Sequence, residues 1–347
     1  MNDANALLSR RDFLKNAAAG SAALMGSLSM PAAASESQAT VPTRPFGNTG
    51  INVPILSFGG SLNTSLSILV LRQAVKWGVT YRMQTDYIDL YFVHSVSSSS
   101  ELTNDKKVWA ARKKAEGKIR FFGFSTHSNM EACMLAASKL GWIDGIMMRY
   151  NYRTMLTDDM RRAMDACAQA GIGLTAMKSQ GGGQVKTDDE TELELAGKFL
   201  KQGYTDAQAK LKAVWENPNI ASICTEMPNM TLLMSNVAAA MDKTGLSKRA
   251  KEMLQQYAFE TRSDYCTGCT RICQTAIDAD IPIGDVMRCL MYARSYGDRH
   301  RARMHFQKIP LPIRRQMAGM DYITAEQRCP QKMAIGNLMR EALEELG

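Results

Sequence analysis

From residue 53 onward, short apolar runs alternate with longer stretches of helical period. The runs over 53–58, 87–94, 119–124, 144–150, 172–178 and 220–225 predict strands. They are rich in β-branched and large apolar residues, and they are too short for buried helices. A three-residue run, Val79-Thr80-Tyr81, predicts one more. Helical patterns end near Trp77, Glu116, Leu140 and Ala170, and each is followed by glycine: Gly78, Gly117, Gly141 and Gly171. A glycine just past the last apolar turn is the usual left-handed helix stop. Thr205 with Gln208 forms a capping box that opens a further helix reaching Glu216. Repeated strand–helix units predict an α/β fold. No G-x-G-x-x-G turn follows the first strand, so a (β/α)8 TIM-type barrel is expected rather than a doubly wound sheet.

This pattern supplies seven strands, and the irregularity can be located. Only Arg82-Met83-Gln84-Thr85-Asp86 separate Tyr81 from Tyr87, whereas parallel neighbours need a crossover of about a dozen residues or more. Either 79–81 is no barrel strand, or about one strand and its flanking helices are lacking between Tyr81 and Arg82.

Residues 1–34 read as a targeting segment. Ser9-Arg10-Arg11-Asp12-Phe13-Leu14-Lys15 precedes a weakly apolar run of Ala, Gly and Ser, then Pro31-Ala32-Ala33-Ala34, an A-x-A-like cleavage site. The segment resembles a bacterial twin-arginine signal, which implies engagement of the Tat export machinery and a periplasmic location. The run is too short and polar to span a bilayer, so stable membrane insertion is not expected. Residues 35–43 read as a linker, 44–245 as the barrel and 246–347 as a small, mainly helical region.

Composition adds little to this organisation. The 42 Lys and Arg against 34 Asp and Glu give +8, and the export segment carries only +1 of it. Basic residues gather between Arg288 and Arg315, with Asp298 alone opposing them. No nucleic-acid motif or aromatic interleaving accompanies that stretch, so a solvated helix face is expected and nucleic-acid binding is not.

The eight cysteines change the picture more. Cys133, Cys167 and Cys224 fall in helical or strand patterns and read as small buried apolar residues. Cys266, Cys269 and Cys273 form C-x2-C-x3-C, and Cys329 is followed by Pro330. Three close cysteines and a distant Cys-Pro point to ferredoxin-like [4Fe–4S] ligation, although the x3 spacing departs from the usual bacterial x2. Four-thiolate zinc and disulfides are the rivals, and Cys289 is the alternative fourth ligand.

Several stretches together resemble the aldo/keto reductases: Phe46 to Gly50, Val53-Pro54, Phe58 to Gly60, Thr85 to His94 and Gly117 to Ser125. The carboxy-terminal part resembles the iron–sulfur extension of one exported branch of that family. The resemblance implies a barrel that holds NAD(P) across the carboxyl ends of its strands and acts on a small carbonyl or alcohol substrate. It also implies that His94 is the histidine that orients the carbonyl. Ser125 and Asn151 match positions facing the nicotinamide, Lys178, Ser179 and Gly181 match the loop near the pyrophosphate, and Asn229 and Asn236 match the adenosine end. Read without the family, 181–183 is equally a flexible glycine loop. The family's proton-donating Tyr and its Lys and Asp partners belong between Tyr81 and Arg82, where this chain has no residues. Two functions are therefore expected in competition. One is an exported nicotinamide-dependent oxidoreductase with an added cluster, and the other is a catalytically impaired iron–sulfur protein serving an electron-transfer partner.

Overall fold

A β-hairpin closes one end of the sheet before the sheet itself begins. β1 (Thr43–Pro45) pairs antiparallel with β2 (Asn52–Pro54) around Gly47 and Gly50, whose φ values of +53° and +75° suit glycine. Phe46, fully buried in this turn, lies against Gly145 and Gly173 at the start of their strands, and a Cβ on either glycine would overlap its ring. The computed structural model describes residues 40–59, 68–79, 87–155, 157–181, 203–227 and 229–347. The export segment 1–34, most of the linker, and Tyr81 with Arg82 lie outside the described residues.

The sheet is six-stranded and parallel throughout. In chain order its strands are β3 (Leu56–Gly59), β4 (Ile88–Val93), β5 (Ile119–Thr126), β6 (Gly145–Arg149), β7 (Gly173–Met177) and β8 (Ile220–Glu226). Their spatial order is β3-β8-β7-β6-β5-β4. First pairs with last, Leu56 opposite Ile223, and the others follow in sequence. A doubly wound sheet reverses its order midway, whereas this one runs round as a barrel does. Among the described residues β3 and β4 do not pair, so the barrel is partial there. The predicted run 53–58 is corrected to two strands: β2 turns back onto β1, and only β3 enters the sheet. Val79 is buried in a bend after the first helix, and the rest of the predicted 79–81 strand lies outside the described residues.

Between strands lie α1 (Ile68–Lys76), α2 (Asn104–Ala115), α3 (Met130–Ala137), α4 (Asp158–Gln169) and α5 (Asp206–Trp215), with α6 (Met230–Met241) after β8. Gly78, Gly117, Gly141 and Gly171 all take φ near +70°, as their places past the helix ends predict. Thr103, Thr157 and Thr205 cap α2, α4 and α5 through their side chains.

The carboxy-terminal region comprises α7 (Lys248–Glu260), α8 (Thr270–Gln274), α9 (Ile283–Arg294), α10 (Arg299–Phe306), α11 (Leu311–Gly319), α12 (Ile323–Arg328) and α13 (Ile335–Leu346). α7 packs on the barrel through Ala250, Leu254 and Tyr257, which share a core with Tyr152 and Ala213. A separate core begins at Ile281 and joins α9 to α13, with Cys266 and Cys273 at its edge. Two basic side chains of the 288–315 stretch meet acids of α13, Arg294 with Glu341 and Arg299 with Glu345.

Candidate functional site

Cys266 and Cys269 lie in the loop that leads into α8, Cys273 lies on α8, and Cys329 follows the last turn of α12. All four line one cavity, together with Ile272, Ile283, Met287, Pro330 and Ile335. Burial pushes the Cys273 thiol up to about 12, and the nearby Cys266, Cys269 and Cys329 add to the effect. The Cys266 and Cys269 thiols are raised for the same reasons. Cys289 is buried on α9 and does not line this cavity. None of the eight cysteines is bonded to another in the structure. Among the described residues no three His, Cys, Asp or Glu side chains converge on a point where one ion would sit. The four cysteines share the lining of one cavity without converging on a single point.

The cysteine loop is fastened to the carboxyl end of the barrel. Arg149, at the end of β6, donates from Nη1 to Cys266 O at 2.7 Å and from Nη2 to His127 O at 2.5 Å. Asn129, in the left-handed conformation at φ +49°, donates its backbone N–H to Gly268 O at 2.9 Å. Its Oδ1 accepts from Thr270 Oγ1 and Arg271 N at 3.2 and 3.1 Å, so Asn129 caps α8 rather than the helix it precedes. Gly268 sits at φ +83° with no room for a side chain: a Cβ there would overlap Arg149 Nη2 and fall 2.5 Å from His127 O. Neither Arg149 nor Asn129 was singled out from the sequence. A charged residue ending the apolar run Gly145–Arg149 was the available signal.

The residues matched to the nicotinamide site fall at the same end of the sheet. His94 is exposed just beyond β4, its ring 5.7 Å from that of His127. Ser125 is buried on β5 and accepts from Ser95 N at 3.0 Å. Asn151 Nδ2 donates to Lys178 O at 3.0 Å and to the Tyr265 hydroxyl at 3.1 Å. The Lys178 ammonium donates to the Tyr292 hydroxyl at 3.3 Å and lies over the Tyr292 and Tyr296 rings. Thus tyrosines of the carboxy-terminal region occupy the polar groups of Asn151 and Lys178. Ser179 Oγ and Gln180 Oε1, by contrast, are buried without partners; the serine hydroxyl can donate to a phosphate oxygen, whereas the amide oxygen can only accept. Gly181 takes φ +62° against Tyr152, while 182 and 183 lie outside the described residues. Asn229 caps α6 by accepting from Leu232 N at 2.9 Å, and Asn236 is buried two turns further on. Glu226, the last residue of β8, faces Arg301 of α10 at 3.9 Å.

With this geometry in view, the comparisons with known proteins are direct. Residues 71–248 match the aldo/keto reductase family model. The chain belongs to the aldo/keto reductase family, whose members are NAD(P)-dependent oxidoreductases. Among solved structures it is similar to a thermostable aldo-keto reductase in complex with the inhibitor epalrestat, at 19% identity and a TM-score of 0.50. That match covers 62% of this chain and 99% of the other. An aldo-keto reductase from Klebsiella pneumoniae in complex with NADPH matches at 18% identity and a TM-score of 0.50, covering 63% of this chain and 95% of the other. At such identities the likeness is one of fold. No functionally curated protein matches the chain.

Proposed function

We propose that this protein is an exported oxidoreductase of the aldo/keto reductase kind that carries a [4Fe–4S] cluster on Cys266, Cys269, Cys273 and Cys329. The observation that carries the proposal is that these four cysteines line one cavity together with apolar side chains, and that Cys289 does not line it. A cluster there would supply one-electron chemistry. The chain's own part is to hold the loop: Arg149 bonds Cys266 O and Asn129 bonds Gly268 O. Protein purified without oxygen should be brown and contain about four irons and four acid-labile sulfides per chain. Stoichiometric zinc, or a colourless iron-free protein that takes up none on reconstitution, overturns the proposal.

A second reading has its own observation. Tyr265 and Tyr292 hold Asn151 and Lys178, and the Tyr, Lys and Asp of carbonyl reduction have no counterparts in the chain. This favours a cluster protein serving an electron-transfer partner, with carbonyl or alcohol turnover slow or absent. Reduction of the cluster by a low-potential donor in a sample that turns over no carbonyl with NADPH or NADH supports this second reading. Brisk His94-dependent turnover supports the first.

A further inference from the structure

A second cavity, of about 40 Å³, lies beside the cysteine cavity and shares Cys266, Met287 and Met333 with it. That volume holds about three waters. His127, Arg149 and Lys178 reach it from the ends of β5, β6 and β7, and Arg288 and Arg294 reach it from α9. The charges there do not balance. Arg294 is held by Glu341, and Arg288 Nη2 lies 3.0 Å from Asp285, but Arg149 meets backbone carbonyls and the Tyr265 side chain, and Lys178 a tyrosine hydroxyl, none of them a carboxylate. Among the described residues Asp264 is the one carboxylate lining the cavity, and it is exposed.

Hydrogen bonding is incomplete as well. Arg149 is only 6% exposed and His127 9%, yet Arg149 Nε and His127 Nδ1 have no partner, and neither does Arg288 Nε. Buried guanidinium N–H groups without acceptors are costly, so such groups point to a missing acceptor. We propose that this cavity binds one small anion presenting two coplanar oxygens, a carboxylate or an oxyanion of similar size, between Arg149 of the barrel and Arg288 of α9. Guanidinium groups suit such anions because two parallel N–H groups match two oxygens. The positive field of the site agrees. Lys178 is held down to about 7, first by burial and then by Arg149, Arg288 and Arg301. A cluster on the four thiols would place its negative charge in the neighbouring cavity, whereas the anion proposed here sits between Arg149 and Arg288. The site therefore goes beyond the proposed function and does not require it.

Titration calorimetry of the intact protein at low salt tests the proposal, with iron measured on the same sample so that loss of the cluster is not mistaken for loss of the site. Sodium formate, acetate and nitrate are the probes. One anion should bind per chain, and Arg288→Met and Lys178→Met should each weaken it about tenfold or more, as loss of a charge-assisted contact implies. Binding of formate and acetate without nitrate assigns a carboxylate, and binding of nitrate as well assigns the shared planar geometry. No binding by any of the three overturns the proposal, and so does binding that both variants leave unchanged while they melt as the wild type does.

Discussion

At the residue scale, burial and neighbouring charge decide what each titratable group does. His127 is pushed down to about 2 from its ordinary 6.5, chiefly by burial and then by Lys178, Arg288 and Arg149. The unfolded chain therefore takes up this proton first as pH falls, and stability is lost from about pH 6.5 downward. By pH 4 the cost is about 3 kcal/mol. His127→Leu should flatten the fall in urea midpoint between pH 6.5 and 4 relative to wild type, and equal slopes would refute this. Among the cysteines, Cys329→Ser should lose most of the iron, whereas Cys289→Ser should keep it. The reverse order in iron content would move the fourth ligand to α9. The C-x2-C-x3-C spacing was legible in the chain, because local spacing fixes how one loop wraps a cluster. The choice between Cys329 and Cys289 rested on a following proline alone, and it now rests on which of them lines the cavity.

At the element scale, the helix stops and caps follow from local sequence, since a left-handed glycine or a threonine cap acts within one turn. The loop before α8 is different. Its position depends on contacts with Arg149 and Asn129, more than a hundred residues earlier in the chain. Gly268 and Gly297 both have positive φ, but only Gly268 is hemmed in; nothing lies within 4 Å of a Cβ at Gly297. Gly297→Ala should therefore cost only about 1 kcal/mol of backbone strain and retain its iron. Gly268→Ala should displace the loop from Arg149 and lose most of the iron under the same purification. Equal iron in the two proteins would show that the clamp does not hold the cluster loop.

At the scale of the whole molecule, β3 pairs with β8 but not with β4 among the described residues, where the sequence lacks the length for a further strand and crossover. Insertion of a family-like segment carrying the Asp, Tyr and Lys between Tyr81 and Arg82 should raise NADPH-dependent carbonyl reduction by about 10²- to 10⁴-fold, the usual worth of a positioned general acid. Equal turnover with and without the segment would show that the chain reduces carbonyls by other groups. Replacement of Arg10 and Arg11 together by Lys should retain precursor in the cytoplasm of a bacterial host. Unchanged export would mean that residues 1–34 are not a twin-arginine signal.

By itself the sequence determined a parallel α/β fold with its strands in barrel order, its helix stops and the cysteine spacing, because hydrophobic period, glycine φ and loop-local spacing are properties of neighbouring residues. It also located the short connection, since chain length bounds what a crossover can span. Only the tertiary structure decided that the run at 53–58 divides between a hairpin and the sheet, because Pro54 and Leu56 find their partners on different strands. It likewise decided that Asn129 caps α8, that Tyr265 and Tyr292 hold Asn151 and Lys178, and that Arg149 and Arg288 share one cavity. These pairings join residues that are distant in the chain. They arise from packing of the carboxy-terminal helices against the barrel, which no local pattern encodes.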